Sequence, residues 1–144
     1  MRRLILILIL LFISNSCFSY QIPKNFNIHK PYISMSFDTA MSREKPFLLV
    51  FASSKKPATF VRFIPIGKMV YLNFGKDFNF SLINVEFPNE NGELLEFFQP
   101  ETLPAVYIVD PMSSKFLYID SQYYTSSSLK SILAEYKKGF SETE

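Results

Sequence analysis

The sequence has very few thiols, because its 144 residues include a single cysteine, Cys17. One thiol cannot form a disulfide within the chain, and Cys17 precedes the part of the sequence with a globular composition. Within that part we exclude a disulfide framework, a redox-active cysteine pair, a cysteine nucleophile and a cysteine-based metal site.

The sequence also contains little histidine and has little net charge. His29 is the only histidine, and without a second histidine or cysteine we expect it to be a solvated loop residue rather than a metal ligand or general base. Without Arg2 and Arg3 the chain has 13 basic and 13 acidic residues, and no basic stripe is present. We therefore expect no metal, no cofactor and no nucleic-acid partner.

The N-terminus has the layout of a targeting segment. Arg2 and Arg3 precede ten uninterrupted apolar residues, 4–13, and small and polar residues follow. Ten residues span only about 15 Å as a helix, against roughly 30 Å for a hydrocarbon core, which favours a secretory signal peptide over a membrane anchor. We predict a signal over residues 1–19, cleaved after Ser16 or Ser19, and an exported protein that is periplasmic or secreted.

A third interpretation of the same segment is lipoprotein processing at Cys17. A lipobox usually has leucine three residues before the cysteine, and here Ser14 takes that place. Acylation of Cys17 would make the protein a membrane-tethered subunit. The membrane would then be a partner only through the signal or through this anchor.

The remaining chain fits one domain of about 125 residues. Apolar residues make up 48% and aromatic residues 17% of the sequence, which is a globular composition. We divide it into an irregular lead-in over 20–34, a domain over 35–140 and a frayed tail over 141–144. Seven aromatic residues exceed what a small core obviously requires: Phe60, Phe63, Phe74, Phe78, Phe80, Tyr123 and Tyr124. They are either part of a phenylalanine-rich core, which we favour, or in part an exposed patch for a partner.

Hydrophobic periodicity predicts alternating helices and strands. A short helix capped by Ser36 ends before Pro46, and a strand–helix–strand unit and a hairpin follow. Strands are predicted over 47–52, 78–87, 104–110 and 115–120, and helices over 36–44, from 57 onward with a kink at Pro65, over 93–99, and from 126 to just before Gly139. Residues 88–92 are predicted to form a loop. This order indicates an α/β protein with a mixed sheet of four to five strands and helices on both faces.

Three stretches then carry a family resemblance. Residues 47–58 read Phe-Leu-Leu-Val-Phe-Ala-Ser-Ser-Lys-Lys-Pro-Ala. Residues 82–87 read Leu-Ile-Asn-Val-Glu-Phe and have an acidic residue, Glu86, near the end of a predicted strand. Residues 103–111 read Leu-Pro-Ala-Val-Tyr-Ile-Val-Asp-Pro. In this order they resemble the thioredoxin family over roughly residues 35–139. The resemblance implies a thioredoxin-like three-layer sandwich, with Cys-x-x-Cys expected in the turn after the first strand and a cis proline facing it.

The turn that should carry the cysteines has none. Aligned on the strand, the two cysteine positions fall on Lys55 and Ala58, and aligned on Pro65 they fall near Pro57 and Phe60. The resemblance also implies that Pro104 is cis and that Leu103 offers backbone groups to an extended peptide. The candidate binding residues are therefore Lys55, Lys56, Pro57, Ala58, Leu103 and Pro104.

Two interpretations of the turn are open: it is either a lost redox site reused as a binding surface, or a surface turn without a function. The functional hypothesis is a redox-inactive, non-catalytic module that binds an extended polypeptide or a partner protein. The alternatives are an enzyme related to thiol-disulfide oxidoreductases and the tethered lipoprotein subunit. Ser53 and Lys56 match a serine nucleophile with a lysine base, but Ser127 and Lys130 match as well, so the pattern has little weight.

Overall fold

The computed structural model describes residues 34–142, which form a single four-stranded sheet between two layers of helices. The predicted signal peptide, Cys17, His29 and all but the last residue of the predicted lead-in lie outside the described residues. In chain order the elements are α1 (Phe37–Ser42), β1 (Phe47–Ala52), α2 (Pro57–Val61), α3 (Phe63–Phe74), β2 (Asn79–Asn84), α4 (Pro88–Phe98), β3 (Ala105–Asp110), β4 (Lys115–Ile119) and α5 (Ser126–Glu142), with a 3-10 turn over Ser121–Tyr123.

The sheet is mixed, as predicted. Its strand order is β2-β1-β3-β4, with β1 parallel to β2 and antiparallel to β3, and with β4 antiparallel to β3. The parallel pair is joined by a crossover that contains α2 and α3, whereas a tight turn joins β3 to β4. These connections are the ones expected for a strand–helix–strand unit followed by a hairpin.

The apolar run of β1 explains its central position. All six residues of β1 are buried, and alternate side chains point to opposite faces of the sheet. Leu48 and Val50 pack with α2, α3 and α5, whereas Phe47, Leu49 and Phe51 pack with α1 and α4. The predicted three-layer α/β architecture is therefore confirmed.

The predicted kinked helix is instead two helices, α2 and α3, separated at Arg62. Pro65 has no N–H and cannot donate to the carbonyl of Val61, so a continuous helix would lose a hydrogen bond there. In the structure Pro65 lies in the first turn of α3, where an N–H has no partner within the helix. The break between α2 and α3 therefore places Pro65 where its missing N–H costs no hydrogen bond within a helix.

Two neighbouring predictions around β2 were wrong. The strand covers only Asn79–Asn84, and all six residues are buried rather than alternating between core and solvent. The predicted loop over 88–92 is the first half of α4, which starts with Pro88 at its first position. Proline and glycine suggested a turn, but proline is also well suited to the first residue of a helix.

The last helix is longer than predicted. It passes through Gly139, which was expected to follow the helix, and ends at Glu142, two residues beyond the predicted end of the domain at 140. Its N-terminus is capped by the Thr125 hydroxyl, which accepts a hydrogen bond from the Ser128 N–H at 3.2 Å. The helix packs on the sheet through Leu129 and Leu133, which are buried in the core.

The aromatic residues singled out in the sequence belong mainly to the core. Six of the seven are buried: Phe60, Phe63, Phe74, Phe78, Phe80 and Tyr124. Tyr123 is the exception, with 43% of its surface exposed. The other exposed aromatic side chains of the described residues are Tyr71, Phe87, Phe97, Phe116 and Tyr118.

Candidate functional site

The candidate residues come from two segments that meet at one end of the sheet. The ladder between β1 and β3 ends with Phe51 opposite Ala105, so the next residues outward, Ala52 and Pro104, are neighbours. Paired residues of antiparallel strands are about 5 Å apart. The turn that follows β1 and the Leu103–Pro104 segment that precedes β3 therefore lie side by side.

The turn residues differ in exposure. Lys55, Lys56 and Ala58 are exposed, whereas Pro57 is half-buried as the first residue of α2. Phe60, a cysteine position in the second alignment, is fully buried in the core. Of the two alignments, only the one through Lys55 and Ala58 places both cysteine positions on the surface.

On the other side, Leu103 and Pro104 are both half-buried and the peptide bond between them is cis. The Leu103 side chain packs against the core cluster on the α1 and α4 face. Within residues 34–142, no backbone hydrogen bond is formed by the N–H or C=O of Leu103. The main-chain N–H and C=O of Leu103 therefore have no backbone partner among the described residues.

A hydrogen-bond network that the sequence did not predict holds the turn. The Ser53 hydroxyl, almost fully buried, donates to Oε2 of Glu86 and accepts from the Lys55 N–H at 3.1 Å. The Lys55 Nζ lies 3.4 Å from Oε1 of the same Glu86 carboxylate. The Lys56 N–H closes the turn on the Ser53 carbonyl at 3.0 Å.

Asn84 connects this turn to β2 and α4. Its side-chain oxygen accepts from the Ser54 N–H at 3.2 Å and from the Glu86 N–H at 3.1 Å. Its carbonyl accepts from the Asn91 side-chain amide at 3.1 Å. Asn84 and Glu86 could have been suspected from the sequence, because the C-terminal ends of parallel strands meet at one edge of a sheet.

The electrostatics of this network argue against catalysis by Ser53. The Ser53 hydrogen bond, assisted by Lys55 and opposed by partial burial, holds the pKa of Glu86 below its usual range. A carboxylate with a lowered pKa is a weak base. Lys56, the base suggested by the sequence pattern, is exposed and contacts Ser53 through its backbone N–H.

Three surface cavities of about 1190, 320 and 280 Å³ lie elsewhere, and none of the six candidate residues lines them. In the described part of the chain no cluster of three His, Cys, Asp or Glu side chains could hold a metal ion. None of the helices described between residues 34 and 142 has the length and apolarity needed to span a bilayer.

Comparisons with known proteins bear on the fold. No protein-family model matches the chain, and no curated protein matches it. A crystal structure of ERdj5, form II, superposes with a TM-score of 0.50 and 12% identity, covering 80% of this chain but only 13% of the ERdj5 chain. A disulphide isomerase from Xylella fastidiosa Temecula1 has a TM-score of 0.45 and 21% identity, covering 69% of this chain and 84% of its own.

This chain therefore spans about an eighth of ERdj5, and at these identities the likeness concerns architecture alone. The mixed four-stranded sheet with helices on both faces is the arrangement of the thioredoxin-like neighbours. Two observations agree with the resemblance first drawn from the strand and turn sequences: the sheet topology, and a single cysteine, Cys17, that precedes the described residues. This chain is a thioredoxin-fold protein without the Cys-x-x-Cys pair.

Proposed function

We propose that this chain is an exported thioredoxin-fold module that binds an extended polypeptide and carries out no redox reaction. The binding surface would be the end of the sheet where β1 stops and β3 begins. Its residues are Lys55, Lys56, Pro57, Ala58, Leu103 and Pro104.

The observation that carries this proposal is the Leu103 main chain. Its N–H and C=O have no backbone partner within residues 34–142, although the strand β3 begins only two residues later. An extended peptide recognises such groups by strand-like hydrogen bonds and gains affinity from them. The three surface cavities described above lie away from this place, which suits a polypeptide that crosses a surface better than a small molecule.

Charge suggests which peptides would bind best. Lys55 is paired with Glu86, whereas the described residues contain no ion pair of Lys56. Lys56 is exposed in the turn that follows β1. A peptide with an acidic side chain at that position would therefore be favoured.

The number of cysteines argues against redox chemistry. A dithiol reaction needs two thiols, and the chain has only Cys17, which precedes the described residues. The competing hypothesis, an enzyme related to thiol-disulfide oxidoreductases, predicts turnover of the insulin disulfides by the purified protein. Our proposal predicts none above the background of dithiothreitol alone.

Export rests on the sequence, since the predicted signal over 1–19 precedes the described residues. Mass spectrometry of the processed N-terminus separates the alternatives. A chain that starts at Tyr20 or Cys17 without modification supports a cleaved signal, and an acylated Cys17 supports a membrane-tethered subunit. A chain that still starts at Met1 would contradict both.

The binding test is a titration of the isotope-labelled protein with an unfolded, carboxymethylated polypeptide, followed by amide NMR signals. We expect the largest shifts at residues 53–58 and 102–105. The Lys56→Glu variant should bind an acidic peptide several-fold more weakly, whereas Lys130→Glu, an equally exposed change on α5, should bind as the wild type does. Shifts confined to other surfaces, or no shifts, would refute the proposal.

A further inference from the structure

The largest of the three surface cavities is a groove between α1 and α4, with a volume of about 1190 Å³. It is lined by Ile83 of β2 and by Val109 of β3, which pair with opposite ends of β1, at Phe51 and Phe47. Four steps along a strand span about 13 Å. The groove is therefore long enough to hold several residues of an extended chain.

Four phenylalanines line the groove: Phe37 on α1, Phe97 and Phe98 on α4, and Phe116 on β4. Phe97 is 68% exposed and Phe116 is 49% exposed. An exposed apolar surface that is bordered by polar residues marks a place of interaction. The groove therefore favours an occupant with apolar side chains.

The exposed charges of the groove are mainly negative. Asp38, Glu93 and Glu96 contribute exposed carboxylates, and one cation, Lys115, lies among the lining residues that the structure describes. Neither of the two ion pairs found within residues 34–142 involves these three carboxylates. The groove therefore favours an occupant that also carries positive charge.

The described residues begin at one end of this groove. Ser36, which lines the groove, is only two residues after Ser34. The Ser34 hydroxyl accepts a hydrogen bond from the Leu82 N–H at 2.8 Å, and the next residue of β2 is the groove residue Ile83. The predicted lead-in contributes 14 residues, 20–33, before this point. Fully extended, they would reach up to about 46 Å, which is more than the length of the groove.

The sequence of residues 20–33 has the side chains that the groove favours. It contains two lysines and no acidic residue, and Pro23 and Pro31 oppose a helix. In an extended chain every second side chain points to the same face. One face of this segment would carry Ile22, Lys24, Phe26, Ile28, Lys30 and Tyr32. Asparagine and histidine occupy the middle of the other face.

We propose that residues 20–33 of this chain lie extended in the groove between α1 and α4. Their apolar side chains would pack on its phenylalanines, and Lys24 and Lys30 would lie near its carboxylates. The folded module would then begin near residue 20 rather than at residue 35.

This inference is independent of the proposed peptide site, because none of the six candidate residues lines the groove. A photocrosslinker placed in the groove tests it in protein expressed from the full chain. Gly92 lines the groove, and a Cβ added there meets no atom within 4 Å, so Gly92→Cys has room for a thiol-linked benzophenone. Cys17→Ser keeps this thiol the only one in the chain. After illumination, mass spectrometry of the digest should find crosslinks from position 92 to residues 20–33.

Two controls accompany this experiment. Ser131→Cys places the same probe at an exposed position of α5, the helix on the opposite face of the sheet, and should give no crosslink to residues 20–33. A mixture of isotope-labelled and unlabelled protein shows which copy supplies the segment. We expect each crosslink to join residues of one isotope only, because the occupant belongs to the same chain.

Charge reversal tests the contribution of the two lysines. Lys24→Glu combined with Lys30→Glu should lower the yield of the crosslink from position 92, on the order of fivefold, because like charges would then meet in the groove. Adding Glu93→Lys and Glu96→Lys to that variant should restore the yield. Lys130→Glu combined with Lys138→Glu, a matched change of two exposed lysines on α5, should leave it unchanged.

Crosslinks from position 92 that do not involve residues 20–33 would overturn the proposal. Crosslinks that join two isotopes would do the same, since the groove would then hold a second copy. An equal yield in the Lys24→Glu, Lys30→Glu variant and in its α5 control would refute the charge complementarity on which the choice of occupant rests.

Discussion

The hydroxyl of Tyr124 connects β3 with β4, and its removal should have a large effect on stability. Tyr124 is 3% exposed. Its hydroxyl accepts a hydrogen bond from the Val106 N–H at 3.0 Å and donates one to the Ile119 carbonyl at 2.9 Å. Tyr124→Phe removes both bonds but keeps the ring, whose edge-on contact with Phe63 spans 6.0 Å between centroids.

The magnitude follows from the two backbone groups left behind. A buried donor or acceptor that loses its partner costs about 1–3 kcal/mol. Because the substitution orphans the N–H of Val106 and the C=O of Ile119 without creating a large cavity, we expect a loss of about 2–4 kcal/mol in the free energy of unfolding. For a domain of this size that corresponds to a fall of about 10 °C in the melting temperature.

Urea denaturation followed by far-ultraviolet circular dichroism would measure the change. Tyr123→Phe is the matched control, because the neighbouring tyrosine is 43% exposed and should change stability by less than about 0.5 kcal/mol. If Tyr124→Phe also stays within about 0.5 kcal/mol of the wild type, the two buried hydrogen bonds do not contribute as inferred.

The same hydroxyl makes a prediction at high pH. Burial raises the pKa of Tyr124 above its ordinary value of 10.0. The unfolded chain therefore ionises this group first, so its contribution is complete below pH 10 and is lost as the pH rises towards the folded-state pKa. Stability measured from pH 9 upward should fall less steeply in Tyr124→Phe than in the wild type, and equal slopes would contradict this assignment.

Two further predictions concern the turn after β1. Ser53→Ala removes the main cause of the lowered pKa of Glu86, so the carboxyl should titrate at a higher pH by NMR, whereas Ser54→Ala should leave its midpoint unchanged. Lys55→Cys combined with Ala58→Cys should fold and form a disulfide, because residues three apart at the start of a helix are about 5–6 Å apart. Persistent free thiols under mild oxidation would contradict the alignment through these two residues.

The strands were the part of the fold most accessible from sequence. β1 has its predicted bounds, and β3 and β4 differ from theirs by one residue at a single end. Each is an uninterrupted apolar run, or a run bounded by proline and turn residues, so local pattern and tertiary environment agree. β2 was harder to predict because its alternating sequence suggested one solvated face, whereas helices cover both faces of the sheet there.

The helix α4 shows where local signals fail. Its first half contains proline, asparagine and glycine, which taken alone indicate a loop. Its second half places Leu94, Leu95 and Phe98 against the core. Packing of this face stabilises the helix as a whole, because a helical segment gains more from tertiary burial than from propensity.

Only part of the candidate site could be predicted from the sequence. The resemblance to the thioredoxin family implied that the turn and Pro104 face each other, and the ladder between β1 and β3 brings them together. Asn84 and Glu86 contact the turn only because β2 lies beside β1 on the opposite side. The strand–helix–strand order suggests that β2 is that neighbour, but the individual hydrogen bonds to the turn depend on side-chain positions that only the structure gives.

The same network explains how the turn keeps its conformation without cysteine. At the strand ends, the N–H groups of Ser54, Lys55 and Lys56 all find acceptors, and these acceptors belong to Asn84 and Ser53. Buried polar groups are stabilising when each has a partner and costly when one is left alone. These bonds give the N–H groups of the turn their acceptors. The absence of cysteine from the turn therefore removes thiol chemistry but keeps the shape that the proposed binding surface beside Leu103 requires.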